Sequence, residues 1–172
     1  MIMEPKYAAA LAIGFVACIT DLRSRRIPNA LTFSAAGAGL AFHVLAPGGE
    51  GATTAVLGLL VGVAIFFVPF ALGGLGAGDV KLLGALGAWL GPTGIFWAAL
   101  YTGVAGGVLA IVVALASGYM RRALANVYLL LAHWRVAGIR ALPELTLESS
   151  EGPRLAYAIP IFAGTVVAIW LA

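Results

Sequence analysis

Aspartate is nearly missing from this chain of 172 residues: only Asp21 and Asp79 occur, and charged side chains of every kind make up 10% of it. A single cysteine, Cys18, excludes an internal disulfide and any Cys-x-x-Cys zinc pair, so no zinc-ribbon accessory domain is expected. No cluster of metal ligands replaces it. The basic residues number 10 against 7 acidic ones, and Arg23, Arg25 and Arg26, like Arg121, Arg122, Arg135 and Arg140, flank apolar runs. A nucleic-acid surface would interleave such residues with polar and aromatic ones on a water-exposed fold, so they read instead as markers of the cytoplasmic side of a membrane.

What is abundant is apolar surface. With 62% hydrophobic residues and a mean hydropathy of +1.04, the chain carries more than a soluble domain of its length could hide. Several uncharged runs approach the roughly 20 residues that cross a bilayer as helix, and none has the alternation of a membrane barrel. The expected fold class is an all-α integral membrane protein, with residues 1–172 forming one membrane-embedded domain without internal repeats.

In chain order, 7–20 reads as a first span. Its length suits a signal-peptide core, but the arginines directly after it oppose export of the downstream chain. Asp21 falls in its last turn, and Pro28 disfavours helix at Ile27 before the chain restarts near Asn29. Apolar stretches at 30–45 and 52–72, joined by a Pro- and Gly-rich turn at 46–51, must return the chain to the starting side. Asp79 is thereby expected on the same membrane face as Asp21. Residues 80–90 are short for a span, about 17 Å as helix, yet must cross so that 95–117 can return to the second arginine cluster. From Tyr119 to Arg140, apolar residues at Met120, Leu124, Val127, Leu131 and Trp134 predict an amphipathic helix on the cytoplasmic surface. It belongs to a cytoplasmic loop of about 118–153, whose part from Pro143 to Pro153, with Glu144, Glu148 and Glu151, looks soluble. A last span over 155–171 carries Pro160, expected to loosen or kink it. The count is six transmembrane helices, with both termini outside.

An ionisable residue in a span points to function, although either aspartate alone reads equally well as a helix end in the headgroup region. Together on one face, they suit a pair that holds one proton between them, one member activating a water and the other protonating a scissile carbonyl. No metal, cofactor or covalent intermediate is needed. In Gly76-Ala77-Gly78-Asp79 the glycines, lacking Cβ atoms, would let a substrate backbone approach and would permit dihedrals that other residues avoid. Asp79 would sit near a helix start, where the dipole favours a carboxylate. Lys81 is a candidate for an acidic substrate group or a lipid phosphate, or it reaches the interface. Cys18 reads as packing, His43 is placed by parity at the opposite face, His133 lies on the surface helix, and Trp89, Trp97, Trp134 and Trp170 fit anchors or packing. A cation-coupled transporter or a non-catalytic assembly subunit would accommodate the same composition.

Gly76-Ala77-Gly78-Asp79 with Lys81 and Leu82, preceded by Asp21 and Arg26-Ile27-Pro28-Asn29, resembles the type IV prepilin peptidase family. The segment Leu155-Ala156-Tyr157-Ala158-Ile159-Pro160 is similar to that family's last span, with Ala156 where proline is common. The resemblance implies an intramembrane aspartic endopeptidase that removes the basic leader of prepilins or pseudopilins at the cytoplasmic face of the bacterial inner membrane. It makes Asp21 and Asp79 the catalytic pair, Gly76 and Gly78 site-shaping, and Lys81, Arg26 and Asn29 candidates for substrate binding. Larger members also N-methylate the new terminus and carry a cytoplasmic region with Cys-x-x-Cys pairs. This chain lacks both that length and those cysteines, and so most resembles the short forms serving tight-adherence, or Flp-type, pili.

Overall fold

A computed structural model describes residues 4–45, 51–147 and 155–171. They form α1 (Pro5–Ser24), α2 (Asn29–Leu45), α3 (Gly51–Ala71), α4 (Ala77–Ala116), α5 (Met120–Ala137) and α6 (Ala158–Leu171), with one 3-10 turn at Pro143–Leu145 and no strand among the described residues. α1, α3 and α4 are long and apolar enough to cross a membrane, and α2 and α6 are shorter apolar helices. The outward faces carry exposed large side chains, among them Phe15, Phe33, Phe67, Val104, Ile111 and Leu115. An apolar girdle of this extent is stable only against lipid. The protein is an all-α integral membrane protein.

Local chemistry sets the helix ends. α1 starts on Pro5, which needs no intrahelical partner there, and stops where Arg25 turns left-handed (φ 53°) with its N–H on the Asp21 carbonyl at 2.9 Å. Pro28 then restarts the chain, its carbonyl accepting the Leu31 N–H. α4 is broken at Gly91 (φ 71°, ψ 177°), a conformation that only glycine adopts without strain, and Pro92 comes next. This divides α4 into a limb at 77–90 and a limb at 92–116.

The first limb is the axis of the bundle. Every residue from Leu82 to Trp89 is buried, and α4 packs against α1, α2, α3 and α6. A helix apolar all round belongs in the centre of a protein, which is why this one is short and rich in glycine. Expected only as an unusually short span, it proves to be the core itself. Its glycines admit neighbouring backbones: a Cβ on Gly87 would fall onto the Gly58 carbonyl of α3, one on Gly58 onto the Gly87 carbonyl, and one on Gly39 of α2 would lie 2.9 Å from the Ala88 oxygen.

The crossing argument holds in three dimensions. Asp21, Gly76, Asp79 and Tyr157 gather at one end of the bundle, whereas Lys6, Tyr7, Thr54, Gly91 and Leu171 surround a cavity of about 620 Å³ at the other. The second limb of α4 returns along α6, with Gly164 against Ala98 and Thr102 and Gly106 against Tyr157. Through the described residues the chain therefore traverses the bundle six times. His43 is buried at the far end, as parity requires, where its Nε2–H donates to the Trp89 carbonyl at 3.2 Å.

One expectation fails. α6 begins at Ala158, so Pro160 occupies its first turn, where a missing N–H costs nothing and the ring meets no preceding turn, and it does not kink a span. α5 is amphipathic and has no buried residue; Leu124, Val127 and Leu131 remain more than half exposed. Of the two polar connections read from sequence, 46–50 and the part of the later loop holding Glu148, Glu151 and Pro153 lie outside the described residues.

Candidate active site

Asp21 projects from the last turn of α1 and is buried to 8% exposure. A carboxylate so placed needs donors. One comes from α6, whose first residue, Ala158, donates its N–H to Asp21 Oδ2 at 3.3 Å. One turn earlier on α1, the Cys18 thiol donates to the Ala158 carbonyl at 3.2 Å. Two side chains of α1 thus hold both backbone groups of a single residue. Cys18 packs, as expected of it, and also pins the start of α6 against α1.

Asp79 is the third residue of α4. Its Oδ2 accepts the Gly76 N–H at 3.1 Å, while its own N–H donates to the Gly76 carbonyl at 3.1 Å. This reciprocal cap satisfies two groups at the helix start and places the carboxylate on the positive end of the dipole.

The two carboxylates face common space. A cavity of about 540 Å³ is lined by Asp21, Arg25, Leu75, Gly76, Asp79 and Tyr157 among others. A second, of about 490 Å³, is bounded by Asp21, Arg26, Asn29, Gly76, Gly78 and Asp79. Asp21, Asp79, both glycines, Arg26 and Asn29 are therefore brought together. Lys81 lines neither cavity; its ammonium donates to Asn29 Oδ1 at 3.0 Å and stands 5.7 Å from the centre of the Phe33 ring, tying the 26–29 segment to α4.

The dihedral part of the expectation for the glycines fails. Gly76 has ordinary extended dihedrals (φ −83°, ψ 150°), and Gly78 is not among the residues of positive φ, so neither is needed for a conformation others avoid. Space explains them: a Cβ at Gly76 would lie 3.1 Å from Asp79 Oδ2, and one at Gly78 would lie 3.3 Å from the Ile27 Cβ. The unusual conformation belongs to Gly73 (φ 78°), where a Cβ would also strike the Thr146 methyl at 2.6 Å.

Two further contributors come from segments far from both aspartates in the chain. The segment after the 3-10 turn folds back over the site, with the Leu147 N–H donating to the Gly73 carbonyl at 2.9 Å and Thr146 and Leu147 lining the larger cavity. Tyr157 lines it from the other side. The Leu147–Gly73 attachment joins segments far apart in the chain, which is why no local pattern reveals it.

A model of the Type IV leader peptidase family matches residues 8–111, more than half of the chain and inclusive of both aspartates. The chain is similar to a prepilin leader peptidase/N-methyltransferase of Klebsiella pneumoniae, with 37% identity over 87 residues. That match covers 47% of this chain and 38% of the relative. No solved structure matches. With a family match of this extent across the segment that carries both carboxylates, the chain belongs to the type IV leader peptidase family.

Proposed function

We propose that the protein is an intramembrane aspartic endopeptidase that cleaves the basic leader from prepilins or pseudopilins at the cytoplasmic face of the bacterial inner membrane. The observation that carries this reading is that the only two aspartates of the chain line one cavity at one end of the bundle. Each carboxylate receives a backbone N–H, from Ala158 and Gly76 respectively, which holds it in place without neutralising it.

In the proposed reaction the pair shares one proton. The ionised carboxylate takes a proton from a water as its oxygen bonds to the scissile carbonyl carbon, and the protonated carboxyl donates to the carbonyl oxygen. When the tetrahedral gem-diol collapses, the C–N bond breaks, the departing nitrogen takes the proton held by the pair, and one diol hydroxyl returns its proton to the other carboxylate as the C=O bond re-forms. The dyad ends as it began.

A prepilin is an apolar helix with a charged leader, so it would approach through the bilayer and present its leader at the aspartate end. Flp-type pilins are the proposed substrates, on the motif resemblance. Only the peptidase half of the Klebsiella relative's two-part name is proposed here, because the match spans 38% of that protein.

The test is cleavage of a prepilin by the purified protein in detergent or lipid, comparing the parent with Asp21→Asn and Asp79→Asn. Cleavage by the parent and by neither variant is expected. Persistence in either variant rules out the dyad.

Lys81 gives a smaller prediction. Its bond to Asn29 steadies the wall of the second cavity, so Lys81→Met is expected to raise KM by about threefold while kcat is kept. An unchanged KM would release Lys81 from any part in substrate binding.

A further inference from the structure

Tyr157 is fixed to the site from three directions. Its chain neighbour Ala158 is fully buried and gripped by Asp21 and Cys18 of α1. Its ring meets Phe66 of α3 nearly edge-on, with centroids 6.0 Å apart and planes at 64°. Its hydroxyl lies against Gly106 in the second limb of α4, where an added Cβ would fall 2.6 Å from the oxygen and 3.0 Å from Cζ. Helices α3 and α4 thus meet the phenol directly while α1 holds its chain neighbour, and the absence of a side chain at position 106 is what admits the hydroxyl.

The place it occupies is the cavity wall shared with Asp21, Arg25 and Asp79. We propose that Tyr157 is a positioning residue of this site, its neutral hydroxyl supporting the Asp79 carboxylate as the adjacent Ala158 N–H supports Asp21. The inference rests on the peptidase reading. Consecutive residues at the start of α6 then serve the two carboxylates in turn, one by its backbone and one by its side chain. A phenolic hydroxyl is a donor, which is what a carboxylate needs from a neighbour.

The geometry separates this role from packing. Phenylalanine at 157 keeps the ring against Phe66 and removes only the donor, whereas alanine at 106 keeps the donor and displaces it. The experiment measures kcat, KM and thermal unfolding of the full chain in detergent, with a prepilin substrate, for Tyr157→Phe, Gly106→Ala and the double variant, alongside Asp79→Asn. Tyr157→Phe is expected to lower kcat about tenfold, the worth of one hydrogen bond to a charged group, with KM unchanged. Gly106→Ala should lower kcat several-fold, and adding it to Tyr157→Phe should cost little more, because the displaced hydroxyl is already gone. A parental kcat in Tyr157→Phe, beside an inactive Asp79→Asn, would overturn the inference and leave the peptidase reading standing. Fully additive losses in the double variant would also overturn it, marking both sites as packing positions. No cleavage by the parent would sink the peptidase reading and this inference with it.

Discussion

Asp79→Asn is expected to leave the protein folded and to reduce prepilin cleavage by about 10³-fold or more, within the range set by removing a group that works as general acid or base. The fold should survive because asparagine keeps the size of the side chain and retains an oxygen that can accept the Gly76 N–H, so the reciprocal cap at the start of α4 persists. What disappears is the ability to take up and return a proton. Asp21→Asn should behave alike, since an amide oxygen can still receive the Ala158 N–H. The double variant should be no slower than either single one, because the two carboxylates act as a unit and the second loss removes nothing further. Alanine is the wrong replacement at either site: it would leave a backbone donor unpaired and confound stability with chemistry. The checks are cleavage and thermal unfolding on the same preparations.

The second large effect is on stability. Gly87→Val should lower the unfolding temperature in detergent sharply, with a cost at or above the top of the ~1–3 kcal/mol typical of overpacked cores. Gly58 and Gly87 face each other so closely that a Cβ on either falls onto the other's carbonyl. No flexible side chain is available to yield there. α3 would have to move away from the axis, carrying Gly62 off Leu83 and Gly84 and disturbing the limb that begins at Ala77. Gly87→Ala should show a smaller loss of the same kind. An unfolding temperature unchanged by valine would mean that the two helices do not meet at these glycines.

Much of this arrangement is legible in the sequence because it depends on solvent and parity. Apolar runs bounded by Arg23–Arg26, by the turn before α3 and by Gly91-Pro92 have to be helices in lipid, and an even number of crossings has to bring Asp79 to the Asp21 end. What stays hidden depends on contacts between distant segments. Residues 80–90 look like a short span because burial on every side leaves no polar face to reveal a central position. Gly76 and Gly78 read as making room and as permitting unusual dihedrals; the dihedrals are ordinary, and which neighbours the room serves, Asp79 and Ile27, is visible only once those neighbours are placed. The donor to Asp21 and the attachment of Leu147 to Gly73 come from backbone atoms, which carry no side-chain signature at all.

That last attachment bears on how the chain can vary. The excursion beyond α4 leaves through Gly118 and meets the site again at Gly73, through a bond between main-chain atoms that any residue at 147 except proline could make. Between those points, Gly138, Ile139, Arg140 and Ala141 are exposed. Lengthening the chain there would change the size of the appendage without altering its anchorage, in the way that loop closure grows only slowly more costly with length. The bundle therefore has a natural port for insertions: an accessory module could be grafted between α5 and the 3-10 turn, or trimmed away, while the carboxylates and the segment lying over them kept their places.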